Sequence, residues 1–166
     1  MTFSSRLITE LRKDPVPILS RGYRAKERIA DRQERIEQWR QIAESITANP
    51  EHSGGGGGGP SNKVETCVLG IVELEEAILD EINEIKSLEL ENSRIIEEFV
   101  HDPNYKRLLE LRYLNYKRWE EIAVSMGYTF RWTQELHSRA LKHLKENAIK
   151  TATEEESALI PESAAV

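Results

Sequence analysis

Between residues 64 and 99 one set of side chains recurs every seven residues: Val64, Ile71, Ile78, Ile85, Asn92 and Phe99. A second set, Cys67, Leu74, Leu88 and Ile95, falls at the matching position, with Glu81 as the one interruption. This is the heptad spacing of a coiled-coil helix, and it predicts a helix over about residues 62 to 101. A second stretch, about residues 21 to 47, repeats Ile29, Ile36 and Ala43 by sevens, with Trp39 and Ile46 in complementary positions. Two such helices can close as an antiparallel hairpin within one chain. They can also pair between chains through Ile71, Leu74, Ile78, Ile85, Leu88 and Asn92, and the two arrangements are compatible if hairpins dimerise. A polar residue at a seam position, as at Asn92, is a device that fixes register and partner number.

The breaks in this pattern divide an all-α chain. Residues 1 to 20 read as a short helix, about 4 to 12 with Leu7, Ile8 and Leu11 on one face, then a linker begun by Asp14-Pro15-Val16-Pro17. Residues 21 to 102 form the expected hairpin. Its connection, residues 53 to 60, holds six consecutive glycines and Pro60, which suits a flexible loop. Asp102 and Pro103 are an N-cap and a first-turn proline, opening a helix to about residue 114 inside a module of residues 103 to 150. A final helix is expected to end near residue 148. The acidic, aperiodic residues 151 to 166 read as a disordered tail.

Net charge is −6, which by itself disfavours a polyanionic partner. Its distribution reverses the inference. Residues 103 to 150 carry ten Lys/Arg against five Asp/Glu, whereas residues 62 to 102 carry three against twelve. Phosphate contacts are local, so a basic module beside an acidic helix is compatible with nucleic acid. No run of about 18 apolar residues exists to span a membrane, and no signal-peptide core is expected at the N-terminus. The single cysteine excludes an internal disulfide. A cytoplasmic protein is the expectation. The histidines, His52, His101, His137 and His143, lack ligand spacing, so no metal or other cofactor is expected. His137 is expected beside the core and His143 in solvent. No nucleophile, base and orienting group fall together, so no enzyme is expected.

The stretch Trp119-Glu120-Glu121-Ile122-Ala123-Val124-Ser125-Met126-Gly127-Tyr128-Thr129 has the parts of a helix-turn-helix. Ala123 is small where a second helix would cross, Gly127 can enter the left-handed region, and Thr129 can cap the next helix. Ile122, Met126, Tyr128 and Leu136 fall at core positions, and Thr133 stands where an apolar residue is usual. At about 100° per residue, Thr133, Leu136, Ala140 and Leu144 share one face. Arg131, Gln134, Glu135, Ser138 and Lys142 collect on the opposite face, and these residue types read base edges and phosphates.

Leu108-Leu109-Glu110-Leu111-Arg112-Tyr113-Leu114, Trp119 to Ala123, Met126 to Thr129 and Leu136-His137-Ser138-Arg139-Ala140-Leu141 resemble region four of sigma-70-type factors. The chain as a whole resembles RinA/ArpU-like phage and prophage proteins, described as late-gene transcriptional regulators. The resemblance implies groove contacts at Phe130, Arg131, Gln134 and Glu135, with backbone contacts near Lys117, Arg118, Trp119 and Arg139. Together with Thr129, Ser138 and Lys142 these are the candidate DNA-binding residues, carried by a recognition helix over residues 129 to 147. Phe130, Trp132 and Thr133 depart from the sigma pattern. The expected function is sequence-specific regulation of transcription in a bacterial host. Expected partners are double-stranded DNA, the host RNA polymerase and a second copy of the chain. Two other readings fit the same features: a small-terminase-like DNA-packaging adaptor, and a coiled-coil protein-interaction module.

Overall fold

The computed structural model describes residues 3 to 48 and 60 to 158. All regular structure among them is helical: α1 (Ser5–Lys13), α2 (Val16–Leu19), α3 (Arg21–Ala48), α4 (Pro60–Phe99), α5 (Pro103–Tyr113), α6 (Trp119–Met126) and α7 (Phe130–Ala158). The glycine-rich connection, apart from Pro60, lies outside the described residues, as do residues 159 to 166. The chain divides into two compact units. One joins Met1–Gly22 to Leu88–Val166, and the other is Tyr23–Ser87.

In the first unit, α7 is the central element and packs on α1, α5 and α6. Ile8 and Leu11 of α1 are buried, as are Ile18 and Leu19 of α2. The N-terminal segment therefore belongs to this core, where the sequence suggested a separate helix and linker. Its apolar residues account for the difference, because burying each such side chain contributes about 1.5–3 kcal/mol. Ser4 caps α1 by accepting from the Leu7 N–H at 3.3 Å. The Asp14 carboxylate accepts from the Val16 N–H at 3.0 Å and turns the chain into α2. Lys145 reaches back from α7 to donate to the Lys13 carbonyl at 3.0 Å.

The last turns of α4 join the same core through Ile95, Ile96 and Phe99, followed by Val100. Asn92 is fully buried there and donates to the Leu19 carbonyl at 2.9 Å. Its amide nitrogen is thus engaged within the chain, and Leu88 is also buried. Asp102 caps α5 as expected, accepting from Asn104 and Tyr105 at 2.8 and 3.1 Å. Helix α7 does not end near residue 148. It continues over residues 151 to 158, which were expected to be disordered. Ala148 is buried and Thr151 and Thr153 return their hydroxyls to carbonyls four residues back, so packing and local bonding carry the helix past Lys150.

In the second unit, side chains of α3 meet side chains of α4. Arg28 and Arg32 meet Glu81, while Arg40 meets Glu75. The Trp39 ring covers Gly70 so closely that a β-carbon at residue 70 would lie 1.3 Å from it. Only glycine fits there, which the heptad pattern could not reveal. Ile36 and Ile85 are buried, whereas Ile71, Leu74 and Ile78 are half-buried. Glu81, the break in the heptad, is buried. Its carboxylate accepts from Arg28 Nε and Nη2 at 2.7 and 2.6 Å and from Arg32 Nη1 at 2.6 Å. Bonds from Arg28, opposed by desolvation and aided by Arg32, hold the carboxyl at about 2, well below its ordinary 4.5.

Candidate nucleic-acid interface

The connection from α6 to α7 is short and fully determined by local bonding. Gly127 is left-handed, with φ 70° and ψ 31°. The Tyr128 N–H donates to the Ala123 carbonyl at 2.9 Å and the Gly127 N–H to the Val124 carbonyl at 3.2 Å. This is the Schellman closure of a helix, and it needs a residue that tolerates positive φ. Thr129 then caps α7, its hydroxyl accepting from the Trp132 N–H at 3.2 Å. At the other end of α6, the Glu121 carboxylate accepts from the Arg118 N–H at 2.7 Å.

Behind the turn α6 packs on α7; Ile122 and Ala123 of α6 are buried, as is a stripe of α7 made of Thr133, Leu136, Ala140 and Leu144. Thr133 is fully buried although polar, because its hydroxyl donates to the Thr129 carbonyl at 2.9 Å. A threonine can therefore occupy this apolar position without an unmet donor. Met126 and Tyr128 are half-buried.

The polar stripe of α7 is exposed along its length: Arg131, Gln134, Glu135, Ser138 and Lys142. The Arg131 and Gln134 side-chain polar groups have no hydrogen-bond partner among the described residues. The others are engaged on the helix surface. Glu135 pairs with Arg139, Lys142 with Glu146 at 3.9 Å, and the Ser138 hydroxyl donates to the Gln134 carbonyl at 3.2 Å. Such exposed pairs are worth under about 1 kcal/mol, so an incoming phosphate can replace them. The Arg139 guanidinium also lies 4.9 Å over the Trp132 ring. Phe130 opens α7 and is 43% exposed.

The candidates before α6 are less available. Lys117 is half-buried, donates its N–H to the Leu111 carbonyl and accepts from Arg112 on its own carbonyl, each at 3.0 Å. Its ammonium lies 3.4 Å from the Ser125 hydroxyl. The Arg118 side chain is exposed. The Trp119 ring is committed to internal packing. Arg112 lies 4.5 Å over one face and the His137 ring meets it edge-on at 4.8 Å. The ring is half-buried, and these two contacts give it a packing role between α5 and α7. His137 in turn is 2.9 Å from the Tyr113 hydroxyl. Burial, with the nearby charge of Arg112, pushes the imidazole down to about 4. Nothing in the spacing of Arg112, Tyr113, Trp119 and His137 announces this cluster, since its members come from three helices.

His143 departs from the expected solvated position. It is half-buried between Tyr105 and His101, and its ring lies 3.1 Å from the Asn147 amide. Among the described residues no group of three or more His, Cys, Asp or Glu side chains could hold a metal ion. No helix among them is long and apolar enough to cross a membrane.

Comparison of the chain with protein families, with curated proteins and with solved structures returns no match.

Proposed function

We propose that the chain is a sequence-specific DNA-binding regulator of transcription, of phage or prophage type. In this reading α5, α6 and α7 form a helix-turn-helix head, and α3 with α4 forms a hairpin that carries it. The observation that supports it is one helix with two opposed stripes. Thr133, Leu136, Ala140 and Leu144 lock α7 to the head, which leaves Arg131, Gln134, Glu135, Ser138 and Lys142 outward together. Inserted in the major groove, Arg131 fits guanine O6 and N7, Gln134 fits adenine N6 and N7, and Glu135 accepts from cytosine N4. Arg118, Arg139 and Lys142 would hold phosphates, and Lys117 would join them by releasing Ser125. One head makes few base contacts, so specificity calls for a second protein, either RNA polymerase or another copy.

Selection of bound duplexes from random DNA tests this. Enrichment of a common sequence is expected. On the enriched duplex Arg131→Ala should weaken binding by about 1–3 kcal/mol, and Lys117→Ala should weaken all sequences alike. A selection that enriches nothing refutes sequence-specific regulation.

A further inference from the structure

Phe130 is out of character for its surroundings. It is the first residue of α7, 43% exposed, at the edge of a stripe made of charged and amide side chains. Trp132, on the other edge, has its face covered by Arg139. Phe130 has no ring or cationic neighbour of that kind among the described residues. Its exposed area is apolar surface that an apolar group seated in the same groove would remove from water. Gln134 stands one helical turn further on the same side, within reach of whatever Phe130 touches.

The major groove offers one apolar feature, the C5-methyl group of a pyrimidine, and phenylalanine is among the side chains that contact it. Resting on the major-groove reading above, we propose that Phe130 is a specificity-determining residue that packs on a pyrimidine C5-methyl. Gln134 beside it is fitted to adenine, which makes thymine of an A·T pair, or of the step next to it, the natural source of that methyl. 5-Methylcytosine presents the same group. The assignment goes beyond the hydrogen-bonding code of the stripe, because it predicts discrimination between bases with identical donors and acceptors.

Uracil in place of thymine removes the methyl and nothing else. Duplexes enriched from random DNA by the full chain are resynthesised with uracil for thymine, and separately with 5-methylcytosine for cytosine. Wild-type protein should bind the uracil duplexes about fourfold more weakly for each methyl contacted, the equivalent of ~0.8 kcal/mol. Phe130→Ala should bind thymine and uracil duplexes alike, while Phe130→Leu, still apolar, should retain part of the preference. A gain in the 5-methylcytosine arm without a loss in the uracil arm assigns the methyl to modified cytosine, provided Phe130→Ala abolishes the gain. Tight binding that is indifferent to all three pools overturns the methyl contact and leaves DNA recognition standing, as does a preference that Phe130→Ala leaves unchanged. Absence of salt-dependent binding to any pool overturns the DNA reading itself and this inference with it. If Phe130→Ala does not fold, the wild-type and Phe130→Leu ratios decide the matter.

Discussion

Replacing Glu81 by glutamine keeps the shape of the side chain and removes its charge. The carboxylate is 9% exposed, while the Arg28 and Arg32 side chains that bond it are 44% and 27% exposed. Hydrogen bonds to a buried charged group contribute about 1.5–3 kcal/mol, and fully exposed ion pairs under about 1. This mixed site falls between those limits, so Glu81→Gln should cost about 1–2 kcal/mol at pH 7. The carboxyl titrates at about 2 in the folded chain against an ordinary 4.5. Its contribution is therefore complete above pH 4.5 and disappears as pH falls toward 2. Urea unfolding of both proteins, followed by far-ultraviolet circular dichroism at several pH values, measures the gap. His137 titrates in both proteins and cancels in the difference. A gap that is absent at pH 7, or that persists undiminished at pH 2, refutes the assignment of Glu81 as a buried, arginine-bonded carboxylate.

Gly127→Ala should destabilise the chain by about 1–2 kcal/mol, because the left-handed backbone is costly for any residue with a β-carbon. No atom lies within 4 Å of the added methyl, so steric relief elsewhere cannot rescue it, and thermal unfolding should show the loss. The His137 imidazole, held at about 4 by burial and by Arg112, should show that midpoint in an NMR titration. Its folded value lies below the unfolded 6.5, so its contribution is present above pH 6.5 and is lost as pH falls toward 4. Tyr113→Phe removes the bond to His137 and should cost about 1 kcal/mol in chemical unfolding. Asn92→Leu removes the donor to the Leu19 carbonyl but also a buried amide oxygen that has no partner, so its cost should fall at or below about 1 kcal/mol by the same measurement.

The sequence made the long helices legible because heptads state both periodicity and face. The N-cap at Asp102, the left-handed Gly127 and the cap at Thr129 were legible because each is a local bond between near neighbours. The two faces of α7 followed from the same periodicity. What the sequence hid depends on contacts distant along the chain. Asn92 looked like a register device between helices of a coiled coil, and its partner is a carbonyl 73 residues earlier. Glu81 looked like a defect, and two arginines from α3 complete it. The packing of Trp119 against Arg112 and His137 likewise joins three helices.

The first unit is assembled from Met1–Gly22 and Leu88–Val166, with the whole of Tyr23–Ser87 intervening. Translation meets these parts in order. The second unit is continuous and can close as soon as its own residues have emerged. Helix α1 has to wait for α7, whose Lys145 bonds the Lys13 carbonyl across 132 residues. At about 5–20 residues per second that delay is on the order of ten seconds. During that interval Ile8 and Leu11 have no core to enter, and the nascent chain presents them to whatever binds apolar segments at the ribosome. Helices α5, α6 and α7, by contrast, pack on one another within residues that emerge in succession.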